Sequence, residues 1–138
     1  AIGIRGAQAI ANSASMSKLT ALKLVGNNIG PKGTQKLAKS KYLGNLDTLD
    51  LSDNNITDEG LAALIESEAF PSLAHLFLSR NKLTDRGARM LAEAENMNNL
   101  ETLVISHNAS ITRKGFRALA SSKTLPEVVS QKFHKQKH

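Results

Sequence analysis

Four histidines and no cysteine occur in this chain, so nucleophilic chemistry falls to Ser and Thr, and metal binding to His with Asp or Glu. No G-x-S-x-G segment puts a serine on a strained strand-to-helix turn. His75 and His107 fall on neighbouring strands but in different columns, and no carboxylate completes the three-ligand set that zinc requires. His134 and His138 have the i, i+4 spacing of two imidazoles on one helix face, within the basic tail Lys132-Phe133-His134-Lys135-Gln136-Lys137-His138. That arrangement could hold a metal or nucleic acid, but it reads as a frayed, solvated terminus. The glycines are scattered, so no loop gathers backbone N–H groups around a phosphate. The sequence therefore predicts no catalytic residue, no metal and no cofactor.

The elements available to position any site follow from composition. Of 138 residues, 41% are apolar and 22% charged, ordinary proportions for one globular domain. Aromatics are only 4%, so the core must come from many aliphatic side chains in register. Without cysteine there is no disulfide framework. No stretch approaches the roughly 20 apolar residues that span a bilayer. Ala1-Ile2-Gly3-Ile4-Arg5 lacks the apolar run of a signal peptide, and the absence of an initial Met reads as an excised or processed piece. A cytoplasmic setting is favoured, with export left open. The net charge of +6 gathers at the ends, at Arg5, Lys18, Lys132, Lys135 and Lys137. With no basic central face and no aromatic stacking platform, nucleic acid and membrane are not expected partners.

One period organises everything else. Leu19, Leu46, Leu73 and Leu100 stand 27 residues apart, each opening the frame L-x-x-L-x-L/I-x-x-N. The frame is filled by Leu19-Leu22-Leu24-Asn27, Leu46-Leu49-Leu51-Asn54, Leu73-Leu76-Leu78-Asn81 and Leu100-Leu103-Ile105-Asn108. An aliphatic residue follows each Asn (Ile29, Ile56, Leu83, Ile111), then a Gly (Gly33, Gly60, Gly87, Gly115) and a Leu-Ala-like pair. The fourth repeat has one extra residue before Ile111, which predicts a small bulge. Ile2, Gly6 and Ile10-Ala11 fall 27 before Ile29, Gly33 and Leu37-Ala38, so the chain opens inside a repeat. Leu125, Val128 and Phe133 stay on template at the other end, where Gln131 replaces a leucine; this predicts a decayed, capping fifth strand. The chain thus divides into a partial repeat 1–18, repeats 19–45, 46–72, 73–99 and 100–127, and a degenerate cap 128–138.

These repeats resemble the leucine-rich-repeat family over nearly the whole chain, and within it the ribonuclease-inhibitor-type subclass. A position often Cys in that subclass is Asn in all four repeats. The resemblance implies a right-handed α/β horseshoe, with a parallel sheet on the concave side and helices on the convex side. Physical reasoning gives the same shape: strands stack about 4.8 Å apart while helices need roughly 8–10 Å between axes, so the stack bends towards its sheet. Asn27, Asn54, Asn81 and Asn108 form a ladder in which each amide satisfies turn backbone on both its carbonyl and its NH₂. Thr57, Thr84 and Thr112 read as helix N-caps, and Gly30-Pro31 as a cap followed by Pro at the first helical position. Leu61, Leu64 and Ile65, like Ala88, Leu91 and Ala92, form the inward helix stripe. The small residues are read as letting helix and sheet approach closely.

Between the leucines, side chains point out of the concave sheet. The column between the second and third leucines reads Lys23, Asp50, Phe77, Val104, and another reads Ala21, Thr48, His75, Thr102. Past the strands come Val25, Ser52, Ser79, Ser106 and then Gly26, Asp53, Arg80, His107. Scaffold positions repeat, whereas these vary, as a recognition surface would. Phe77 and Val104, with His75 and Thr102, predict an exposed apolar patch of the kind that marks partner sites; scattered surface apolars and a covering neighbour domain are the alternatives. Asp50 and Asp53 make one side acidic, and Arg80 with His107 the other basic, as polar recognition or as a plain solvated face. The expected function is a monomeric scaffold that binds a protein on this face. Some family members accelerate GTP hydrolysis by a small GTPase, and the resemblance would place such a role on Arg80, Arg86 or Arg113; a purely structural segment of a larger repeat protein is the third alternative.

Overall fold

The computed structural model describes residues 1–135. Four three-residue strands, β1 (Ala21–Lys23), β2 (Thr48–Asp50), β3 (His75–Phe77) and β4 (Thr102–Val104), alternate with helices α1 (Gly3–Ala11), α2 (Gly30–Ala38), α3 (Asp58–Glu66), α4 (Asp85–Ala92) and α5 (Arg113–Ala120). A short α6 (Glu127–Ser130) and a 3₁₀ segment over Gln131–Lys135 end the described chain. The strands form one parallel sheet in sequence order, β1-β2-β3-β4, with helices on its other side, an open α/β solenoid.

Register follows the 27-residue period. Leu22, Leu49, Leu76 and Leu103 pair across the sheet, flanked by Ala21-Thr48-His75-Thr102 and Lys23-Asp50-Phe77-Val104. Because strand side chains alternate sides, each central leucine points inward and is 0–8% exposed. One aliphatic core runs through the stack, from Ala7 and Ala11 to Leu125, Val129 and Phe133. No coil closes that core alone, so each is held largely by its neighbours.

The Asn ladder is built as the spacing requires. Asn54 Oδ1 accepts from the Asn27 and Ile29 N–H groups at 2.9 and 3.1 Å, and its NH₂ donates to the Leu24 and Ser52 carbonyls. Asn81 repeats this one coil on, accepting from Asn54 and Ile56 and donating to Leu51, Leu78 and Ser79. Asn108 accepts from Leu83 N–H and donates to Leu78 and Ile105. Asn54, Asn81 and Asn108 are buried, and Asn27 is half-buried.

Four expectations are corrected. The predicted fifth strand is helical: Pro126 leads into α6, and Leu125, Val129 and Phe133 close the core. The helix changes which valine faces inward, so Val128 is 52% exposed and Val129 1%. Apolar spacing alone suits strand or helix, and Pro ahead of Glu-Val-Val is a helix-start signal. Secondly, Thr84 and Thr112 cap their helices by accepting from Arg86 and Lys114 N–H, but Thr57 makes no such bond. The Thr84 and Thr112 hydroxyls are each oriented by an aspartate of the preceding coil, Asp58 and Asp85. The equivalent position before Thr57 is Pro31, which has no carboxylate to offer.

Thirdly, the helical glycines make room for the neighbouring helix as well as for their own coil, where a Cβ on Gly33, Gly60 or Gly115 would crowd Ile29, Ile56 or Ile111. A Cβ on Gly87 would run into the Asp58 carboxylate, and one on Gly115 would stand 2.5 Å from Asp85 Oδ1 and 3.1 Å from the Ala88 Cβ. On Gly60 it would meet Pro31 Cα at 3.1 Å. Finally, Phe77 and Val104 are half-buried rather than fully exposed. The predicted insertion is absorbed at Ala109: the Ile111 N–H closes a turn onto the Asn108 carbonyl at 3.0 Å, and Ser110 bridges Thr84 much as Lys82 bridges Thr57. α2 starts one residue earlier than the expected Gly cap: Ile29 is its N-cap, Gly30, at φ +65, its first residue and Pro31 its second.

Candidate functional site

The sheet register places the predicted recognition residues on neighbouring strands. Asp50, Phe77 and Val104 are direct cross-strand neighbours, as are His75 and Thr102. His75 Nδ1 lies 3.0 Å from Thr102 Oγ1, and its Nε2 is 3.8 Å from Glu101 Oε2. Among the described residues this is the one close approach of a basic to an acidic side chain, and it is an ion pair only with the imidazole protonated. Half-burial of Phe77 and Val104 follows from strand spacing, since side chains on adjacent strands shield each other. Val25, on the edge strand's side, is 52% exposed.

Beyond the strands the hydroxyl column is linked: Ser79 Oγ and Ser106 Oγ are 2.9 Å apart, and Ser52 Oγ accepts from the Ser79 N–H. The next column turns sharply. Gly26, Asp53, Arg80 and His107 all have φ between 56° and 70°, and the N–H groups of the first three donate to Ser52, Ser79 and Ser106 carbonyls of the following coil. Asp and His tolerate the left-handed region better than most residues. Arg80 has no such excuse, yet it stands exposed there with no ion partner among the described residues. The sequence reading identified these residues by their outward direction but missed their backbone state, although Gly26 at the head of the column signalled it.

Sequence reasoning also missed a second ladder. Asp58 accepts from Thr84 N–H at 3.0 Å and Thr84 Oγ1 at 2.5 Å, clasping the next coil. Asp85 does the same to Thr112, at 2.7 and 2.5 Å, and also accepts from Gly115 N–H at 3.1 Å. Burial raises the Asp85 pKa, but the Thr112 hydroxyl, the Thr112 and Gly115 N–H groups and nearby Arg89 together outweigh it and hold the carboxyl below the usual aspartate value. The signal was the recurrence of Thr57-Asp58 and Thr84-Asp85, which reads locally as one helix's cap and first turn.

The remaining candidates are dispersed. Arg86 and Arg113 are exposed in the first turns of α4 and α5, and Arg80 lies in the preceding turn of its coil. His107 lies past β4, away from the His75 column. His134 is exposed in the final 3₁₀ segment, while its predicted partner His138, with Lys137, lies outside the described residues. Among the described residues no three His, Asp or Glu side chains group to hold a metal ion. No helix among them is long and apolar enough to cross a membrane.

A sequence-family model, Leucine Rich repeat, matches residues 15–38, 45–64, 71–92 and 96–120. No curated protein sequence matches the chain. Among solved structures, the tropomodulin C-terminal domain of Caenorhabditis elegans is similar at a TM-score of 0.62. It is 18% identical, over 88% of this chain and 78% of that one. This likeness concerns the fold.

Proposed function

The chain belongs to the leucine-rich-repeat family, and from that premise we propose that it is a recognition scaffold which binds a protein partner on its concave sheet. Leucine-rich repeats are protein-interaction modules, and the choice of face rests on one observation. The inward positions of the four coils are nearly identical, whereas Lys23, Asp50, Phe77 and Val104 share one register column and differ in charge and size. A column with only a structural duty would show the same economy as the leucines. Arg80 adds support, because a side chain kept in a costly backbone state without an internal partner is a candidate for external contact. His75, Thr102, Asp53 and His107 complete the proposed surface.

The test is capture from native extract by the immobilised chain, compared with Phe77→Asp/Val104→Asp and with a convex-side control, Lys36→Glu. Loss of the captured protein with the first variant alone is the expected result. Because both residues are half-buried, Phe77→Ala/Val104→Ala is carried beside it, with circular dichroism to show that the coils persist. Undiminished capture by both folded variants would remove the concave face as the site.

A further inference from the structure

Resting on the concave-face reading, we infer that the partner presents an extended segment bearing a basic residue and, two positions away in either chain direction, an apolar one. Asp47, Asp50 and Asp53 all come from the second coil: Asp50 shares the register column of Phe77 and Val104, while Asp47 and Asp53 are exposed just before and just after β2. None has an ion partner among the described residues. Lys23 is paired in register with Asp50, yet forms no ion pair with it. The side chains of Asp47 and Asp50 hydrogen-bond only locally, from Thr48 Oγ1 at 2.9 Å and Ser52 N–H at 3.0 Å. Each keeps acceptor capacity, since a carboxylate offers about four lone-pair sites. The next two strands replace this negative charge with Phe77 and Val104.

Spacing selects the motif. Strands lie about 4.8 Å apart, so the midpoint between Phe77 and Val104 is about 7 Å from the Asp50 column. An extended chain advances about 3.3 Å per residue and returns to the same side every second residue, a step of about 7 Å. A basic side chain over Asp50 therefore drops its i+2 neighbour onto the apolar pair. An adjacent or i+3 residue would point away. Thr48, His75 and Thr102 flank this column on one side and Ser52, Ser79 and Ser106 follow it on the other, so apart from the His75 imidazole the walls are small hydroxyl side chains that let a backbone lie close.

The test uses four capped heptapeptides with Thr at all other positions: Arg-Thr-Leu, Glu-Thr-Leu, Arg-Leu and Arg-Thr-Thr-Leu cores. Each is titrated into the ¹⁵N-labelled chain and followed by amide shifts. The Arg-Thr-Leu peptide is expected to bind at least tenfold more tightly than the others, with shifts at Asp50, Phe77 and Val104. In Asp47→Asn/Asp50→Asn, which keeps side-chain oxygens for Thr48 and Ser52, the preference for Arg over Glu should collapse. In Asp47→Lys/Asp50→Lys it should reverse; Asp53 is left in place because of its left-handed backbone. Equal binding of the Arg and Glu peptides at these residues would overturn the inference while leaving the concave face as a site. So would no Arg-Thr-Leu binding in a chain that still captures its partner. Shifts confined to the convex helices would overturn both readings.

Discussion

Replacing Asn81 with Ala removes a side chain that is 7% exposed and serves five backbone groups across two coils. Its Oδ1 is the acceptor for Asn54 and Ile56 N–H, both at 2.9 Å, and its NH₂ reaches the Leu51 carbonyl of the preceding coil at 3.0 Å. A methyl group leaves the two N–H donors buried without an acceptor, at about 1–3 kcal/mol each, so about 2–6 kcal/mol in all. For 138 residues the whole folding free energy is about 7–20 kcal/mol, so a large fraction is at stake. With a urea slope of about 2 kcal/mol per molar, the midpoint should fall by about 1–3 M. Asn27→Ala is the internal control: it is half-buried, and its contacts are to Ile2 N–H at 3.3 Å and the Val25 carbonyl within its own coil. Its loss should cost about 1 kcal/mol or less. Asn81→Asp then separates the amide's two roles, because the carboxylate keeps the acceptor but faces carbonyls where the NH₂ donated. That environment raises the folded pKa of the introduced carboxyl, so the Asn81→Asp chain should be least stable at neutral pH and recover as pH falls through the raised value. Urea melts by far-UV circular dichroism decide the matter. Equal losses for Asn81→Ala and Asn27→Ala would refute the account of the ladder as inter-coil cement.

Four further outcomes are expected. Gly87→Ala drives a Cβ into the Asp58 carboxylate and should cost about 1–3 kcal/mol; in the double variant with Asp58→Ala the two costs should be clearly less than additive, a cycle readable by urea melts. Asp85, with its lowered pKa, contributes stability that is complete above the unfolded value near 3.8 and is lost as pH falls through the lower folded value. Asp85→Asn should flatten that acid limb, as pH-dependent melts would record. Val129→Asp should destabilise severely and Val128→Asp hardly at all, within about 0.5 kcal/mol for a surface change, the reverse of what the strand reading requires. Arg80→Gly relieves a left-handed residue and should raise stability by about 0.5–1 kcal/mol while weakening partner capture; a gain with unchanged capture would release Arg80 from the proposed surface.

Whatever repeats identically was legible. Leu22, Leu49, Leu76 and Leu103 gave the strands, the inner face and the register, and the four asparagines gave the ladder with the correct atoms on each side. What the sequence concealed depends on neighbours one coil away. Thr84 and Asp85 look like one helix's own cap and first turn, yet Asp85 is committed to Thr112, and nothing local says that Pro31 deprives Thr57 of its cap. The terminal helix was misread because Leu125 and Phe133 fit the template while the single-residue choice between Val128 and Val129 depends on backbone period. The candidate surface was legible in direction only: the outward columns were right, but the shielding of Phe77 by Asp50 and Val104 is a property of lateral packing.

The extra residue at Ala109 marks where this architecture can be lengthened without penalty to its interior. The Asn108 amide stays in place on one side and Ile111 stays buried on the other, so the added length is discharged outward between two fixed posts. The same junction in the other coils, at Asn28, Asn55 and Lys82, is exposed. A foreign peptide, a protease site or a fluorescent tag spliced there would ride on the rim of the solenoid, leaving both the leucine interior and the outward columns of the sheet as they are.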